Sequence, residues 1–155
     1  MEMPHKIDAL DLSILRELQN DSKQGYRDIA LKINTHPNTV MQRIKKLERE
    51  GVIKGYSADL DYSKLGYDLS ALVMVRVKKG QVGHIMQLED VSSLPEVQAL
   101  YAVTGSSDLA LLLRVKDRKH LAETLQKIQM NKIVVRTNTL TILFAYKEPN
   151  EFNPL

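Results

Sequence analysis

The sequence has no cysteine. That removes disulfides, thiolate nucleophiles and cysteine-bound metals from consideration. It has no long apolar run either. Five residues is the limit, as at Ala71–Val75 and Leu109–Leu113, whereas a membrane helix needs about 20, so no membrane partner is expected. The opening stretch MEMPHKIDALD lacks the apolar core of a secretory signal. A cytoplasmic protein is therefore expected, and the sequon Asn20-Asp21-Ser22 reads as chance. The four histidines, His5, His36, His84 and His120, are widely scattered. None has a second histidine or a carboxylate at the spacing of a metal or acid–base motif. Gly80-x-x-Gly83 lacks the third glycine of a dinucleotide loop and reads as a turn and helix start. No catalytic residue, metal or cofactor is expected. There is no repeat of 20–50 residues and no low-complexity tract.

What is present fits a globular chain. Its 155 residues are 43% hydrophobic and 26% charged, with a net charge of only +3, enough for one large domain or two small ones. The charge is uneven. Residues 1–62 hold ten basic and ten acidic side chains, and residues 63–155 hold twelve and nine. Within Pro37–Arg49, however, Arg43, Lys45, Lys46 and Arg49 face Glu48 alone. Most such runs are solvated helix faces; the alternative is a phosphate-contacting surface.

Periodicity decides where that run sits. Ile7, Leu10, Ile14, Leu15 and Leu18 form one helical stripe, with Asp8 and Asp11 in its first turn, where the helix dipole favours anions. Asn20-Asp21-Ser22 interrupts the pattern. Tyr26, Ile29, Ala30 and Ile33 form a second stripe. Asn34-Thr35-His36-Pro37 is a turn, with proline suited to the start of a third helix. Val40, Ile44 and Leu47 form its stripe, and Gly51 ends it. Val52–Tyr56 reads as a short β-prone ribbon. The order is that of a winged helix-turn-helix. Asn38, Thr39, Gln42, Arg43, Lys45 and Lys46 then lie largely outward on the second helix of the pair. Asn, Gln and Arg suit base edges, while Lys, Thr and the nearby Lys54 suit phosphates. Entry of this helix into a major groove is expected, although an amphipathic helix of any small bundle would share the pattern.

The second half alternates differently. Asp59–Asp68 is polar and turn-rich, a linker between residues 1–60 and 69–155 with its body at 61–68. Leu69–Lys78 reads as a strand, Val82–Ser93 as a helix, Val97–Val103 and Leu109–Val115 as paired strands around Thr104–Asp108, Lys119–Met130 as a helix and Ile133–Ala145 as a strand. The order βαββαβ predicts a ferredoxin-like α+β sandwich. Its helix-free sheet face needs a partner, so homodimerisation is expected. Leu72, Met74, Tyr101 and Leu111 are the candidate residues of that contact, beside the alternative that they fill the helix-covered core.

The residues together resemble the leucine-responsive/asparagine regulator (Lrp/AsnC) family of transcription factors, over nearly the whole chain. The resemblance is carried by Asp8-x-x-Asp11-x-x-Ile14-Leu15-x-x-Leu18-x-x-Asp21, Ile29-Ala30, Thr39-Val40, Arg43-Ile44, Leu47-Glu48, Gly51-Val52-Ile53 and Gly55-Tyr56. In the second half, Gly105-x-x-Asp108 and Thr137-x-Thr139 match the family's effector-domain landmarks. The resemblance implies a regulator that binds double-stranded DNA at a pseudo-palindromic site. It implies a dimer or assembly of dimers, with an amino acid as effector bound between dimers. In that reading Gly105 lets a ligand approach main-chain N–H groups, Asp108 accepts from an ammonium, and Thr137 and Thr139 finish the site from one face of the last strand. The reading of Gly105–Asp108 as a plain turn, with the threonines as simple β-formers, stands beside it. Three positions depart from the pattern. His36 stands where the family has serine, and as imidazole caps poorly, Thr35 is expected to cap instead and shift the helix start by one residue. Lys23 replaces an arginine, and Val134-Val135 replaces Gly-Val.

Two other classes fit the sequence less well. An enzymatic branch resembling sirohaem decarboxylases carries a histidine-, arginine- and aromatic-rich central hairpin, whereas VQALYAVTGSSDLALLLRV has no histidine and one arginine. A small-molecule sensor that has lost DNA binding would not keep Asn38, Gln42, Arg43, Lys45 and Lys46 together.

Overall fold

A computed structural model describes residues 7–79, 88–147 and 154. The chain divides into two compact units, one built on the residues up to Asp59 and the other on Leu60–Lys147. No helix among the described residues is long and apolar enough to cross a membrane.

Among the described residues the first unit has three helices. Helix α1 (Ala9–Asn20) opens with a reciprocal cap: the Asp11 N–H donates to Asp8 Oδ1 at 2.8 Å, and the Asp8 N–H donates to Asp11 Oδ2 at 3.2 Å. Helix α2 (Tyr26–Lys32) starts beside Gly25, whose N–H donates to Asp28 at 3.2 Å. Asn34 holds a left-handed φ of 52° in the turn that follows. Helix α3 (Pro37–Arg49) begins on His36, not on Thr35: His36 Nδ1 accepts the Asn38 N–H at 3.2 Å. The imidazole occupies the cap because Pro37 fixes the first helical φ immediately after it. Ile14, Ile29, Ala30, Val40 and Ile44 form the core, with Leu10, Leu18, Ile33 and Ile53 at its edge.

The expected ribbon at Val52–Tyr56 is not a pair of strands; the segment has no regular structure. Gly51 turns the chain at φ 71°, and the Val52 and Ile53 N–H groups both donate to the Leu47 carbonyl. Those donors close the helix end instead of a ladder, and Ile53 packs back on the core. Tyr56 donates from its hydroxyl to Glu48 Oε1 at 2.9 Å. Burial, and then the Glu48 carboxylate, push that phenol up to about 12.

The second unit is one antiparallel sheet in the order β2-β3-β1-β4, from β1 (Leu69–Val77), β2 (Val97–Ala102), β3 (Leu109–Val115) and β4 (Val134–Ile142). A single 3₁₀ turn at Ser63–Leu65 precedes β1. Tyr62 lies over the Arg114 guanidinium and Tyr67 over the Lys116 ammonium, at 5.0 and 5.5 Å. So the segment read as a linker is folded onto this unit. Of the helix expected at Val82–Ser93, residues 82–87 lie outside the described residues, and the last turn is α4 (Glu89–Ser92). Helix α5 (Arg118–Gln129) is capped by Asp117, which accepts the His120 N–H at 2.8 Å.

Strand parity sorts the sheet into two faces. Ala71, Val73, Val75 and Val77 with Leu109, Leu111, Leu113 and Val115 are buried in one core with Val91, Leu121 and Ile128. Leu72, Met74, Ala110 and Leu112 point the other way, with Tyr101 and Leu140 beside them in register and still 60% and 50% exposed. Leu111, expected on the open face, is therefore a core residue opposite Val73. In the unbroken run Leu109–Leu113 nothing polar marks the parity. Glu96, only 4% exposed, joins sheet to helix: its Oε1 meets His120 Nε2 at 3.0 Å and Lys127 Nζ at 3.2 Å.

Candidate functional site

The exposed surface of α3 is not distributed at random. Asn38, Gln42, Lys45 and Arg49 are all exposed. At about 100° per residue their spacing brings them onto one stripe, opposite the buried Val40, Ile44 and Leu47. Two amides that can pair with base edges thus share a line with two cations. Thr39 and Lys46 are half-buried on the flank of the stripe, and Lys54 is exposed in the segment after the helix. Arg49, named from sequence only as part of the basic run, is not among the expected DNA contacts. Its spacing from Asn38 is the signal that finds it.

Arg43 differs from the other basic residues of the helix. Its Nη1 donates to Asp8 Oδ2 at 2.5 Å and to Asp11 Oδ1 at 3.0 Å, and its side chain is only 30% exposed. Expected to face outward, it is turned to the first turn of α1. Those partners lie 35 and 32 residues away in sequence, beyond the reach of helical spacing.

The ligand landmarks sit on the second unit. Gly105 has φ 116°, with nothing within 4 Å of where a Cβ would stand. The loop it belongs to is pinned by backbone: the Val103 N–H donates to the Asp108 carbonyl and the Asp108 N–H to the Val75 carbonyl, both at 2.9 Å. The Asp108 carboxylate accepts the Val77 N–H at 2.9 Å and lies 3.9 Å from Arg76 Nε. Arg76 also donates to the Ser106 carbonyl. Asp108 is thus a staple between β3 and β1. Thr137 and Thr139 pair with Val75 and Val73, across β1 from that loop. Thr137 Oγ1 accepts from Gln129 Nε2 at 2.8 Å. Within one copy the loop and the threonines are two strand spacings apart, roughly 10 Å.

Residues 7–54 match the model of a winged helix-turn-helix DNA-binding domain, and residues 70–152 match the Lrp/AsnC ligand-binding domain. An uncharacterised HTH-type transcriptional regulator of Pyrococcus furiosus is 34% identical, over 96% of this chain and 99% of that protein. The structure of Escherichia coli AsnC superposes with a TM-score of 0.85 at 27% identity, over 93% of this chain and 97% of that one. A feast or famine regulatory protein from M. tuberculosis, solved in complex with L-methionine, gives 0.84 at 27% identity, over 96% and 100%.

Proposed function

The chain belongs to the Lrp/AsnC family of DNA-binding transcriptional regulators, and from that premise we propose that α3 is its recognition helix and that an amino acid bound by the second unit modulates the complex. The observation that carries the reading is the exposed stripe Asn38, Gln42, Lys45 and Arg49. Asn38 and Gln42 reach base edges in the major groove. Lys45, Arg49, Lys54, Lys46 and the Thr39 hydroxyl hold phosphates on either side. Two copies joined through their open sheet faces place two such helices about one helical turn apart on a pseudo-palindromic duplex. The protein acts as a regulator in the cytoplasm, not as an enzyme.

The effector reading is assembled from two copies. The Gly105 loop of one copy and the Thr137/Thr139 edge of another supply what β1 separates within a chain. Asp108 shapes the loop through Val77 and Arg76, leaving the main-chain N–H groups around Gly105 for the ligand's carboxylate. A relative's complex with L-methionine supports an amino acid of that kind.

Fluorescence anisotropy on a duplex selected from a random pool tests the DNA reading. The Lys45→Ala/Lys46→Ala double variant should bind more weakly to every sequence, with the slope of log K against log salt reduced by about two for each copy bound, about four for a dimer. Unchanged affinity and slope would refute the docking. Calorimetry with L-methionine and then the other common amino acids tests the effector. Heat that disappears in Gly105→Val supports the site, and no heat with any amino acid removes it.

A further inference from the structure

One guanidinium connects the recognition helix to the start of α1. Asp8 and Asp11 already cap that helix reciprocally, and both carboxylates also accept from Arg43. Asp11 is fully buried. A buried carboxylate is tolerated only with a cation and hydrogen bonds to satisfy it, so this contact has a strong preference for a single geometry. Arg43 follows Gln42 on α3, a step of about 100° around the axis, which takes it off the exposed stripe and toward α1.

We propose that Arg43 is a positioning residue for DNA recognition: its ion pairs with the Asp8–Asp11 cap set the rotation and height of α3, and so aim Asn38 and Gln42 at base edges. The proposal rests on the reading of α3 as the recognition helix. It separates two kinds of DNA contact. Base readout demands placement within about 0.5 Å and 10–20°. Lysine contacts with phosphate are made by long, freely turning side chains and survive a small rotation of the helix. Loss of Arg43 should therefore cost specificity and leave general affinity. The electrostatics agree with a persistent contact. The Asp11 N–H and then Arg43 hold the Asp8 carboxyl below its ordinary 3.8, and the two aspartates hold the Arg43 guanidinium above its ordinary value.

The test uses the full chain, the duplex it selects from a random pool, and an unrelated duplex of equal length, over a range of salt. Arg43→Ala and Asp11→Asn should each weaken the selected duplex about tenfold, and the double variant should be no weaker than the poorer single. Binding to the unrelated duplex should fall less than about twofold with an unchanged salt slope. Asp11 is buried and cannot touch DNA, so matching losses in the two variants assign the effect to their pairing. Arg43→Lys guards against misfolding. It keeps the charge but lacks the fork that reaches both carboxylates, so it should lose the selected duplex and keep the unrelated one. Arg43→Ala that lowers the salt slope by about one per bound copy on both duplexes would make Arg43 a phosphate contact and overturn the proposal. So would losses that multiply in the double variant, or Arg43→Lys binding both duplexes as the parent does. Failure of the recognition-helix reading is told apart from these, because the Lys45→Ala/Lys46→Ala variant would then bind DNA unchanged.

Discussion

The two units solve the same problem with different means. In the first, every side chain that the DNA reading needs, Lys54 apart, is on one helix, and the face away from them is the core. In the second, the residues of the ligand reading lie on a loop and an edge strand with β1 between them. The helix presents a complete surface by itself. The sheet leaves one face apolar and one candidate site divided, and in the function proposed above a second copy would complete both. A unit whose function is local can be read from one period; a unit whose function is shared needs its neighbours.

The two faces of the sheet differ most in what a truncated side chain should cost. Leu111→Ala removes a fully buried side chain, and should cost ~2–5 kcal/mol in urea unfolding. Leu112→Ala, one residue on and on the open face, should cost less than about 1.5 kcal/mol when measured at protein concentrations low enough to keep copies apart. Equal losses would mean the two faces are misassigned.

A charge on the open face is next in size. Leu72→Asp places a carboxylate on that face between Leu112 and Leu140. Burying it unpaired against a second copy costs several kcal/mol, so sedimentation should show the dimer weakened by at least about 100-fold. The fold of each copy should persist. A dimer of undiminished strength would place the contact elsewhere and remove the reason for treating the second unit as incomplete.

Much of this was legible in the chain, and the reasons are specific. The three helical stripes, the strands and the order βαββαβ follow from apolar spacing, and each apolar position assigned to the α3 core is buried. Three features were not legible. The Arg43 pairing spans more than thirty residues, so no local pattern encodes it; the capping carboxylates looked complete as dipole partners. Leu109–Leu113 has no polar residue to fix which side is inward. Val52–Tyr56 has the composition of a strand, but its first two N–H groups are taken by Leu47, and composition does not record where a donor is spent. In the ligand reading, Asp108 and Thr137 were legible as landmarks, while their partners Val77 and Gln129 are set by tertiary packing.

Acid should expose a smaller difference. Burial opposes ionisation of Glu96, but bonds from His120, its own backbone N–H and Lys127 outweigh it, and its carboxyl sits below the ordinary 4.5. A depressed carboxyl stabilises the fold above its unfolded value and loses that contribution as pH falls through its folded value. Thermal melts from pH 6 down to pH 3 should thus show the second unit losing stability below about pH 4.5. Glu96→Gln should start about 1–2 kcal/mol lower at pH 6 and show a flatter decline. A decline as steep as the parent's would assign the acid sensitivity to other carboxylates.

The smallest effect compares the two units cap by cap. Helix α5 begins on Asp117, whose carboxylate accepts a backbone N–H at 2.8 Å. Helix α3 begins on His36, whose ring nitrogen accepts at 3.2 Å. A hydroxyl or carboxylate is compact and reaches the N2 or N3 donor without strain, whereas imidazole reaches it only with the ring turned edge-on, and it loses the acceptor when protonated. His36→Ser should therefore stabilise the first unit by ~0.5 kcal/mol, and Asp117→Ala should destabilise the second by ~1 kcal/mol. Thr35→Ala should change little, since Thr35 lies outside the cap. If Thr35→Ala costs as much as Asp117→Ala, then His36 does not cap α3 in solution, and the recognition helix starts one residue earlier.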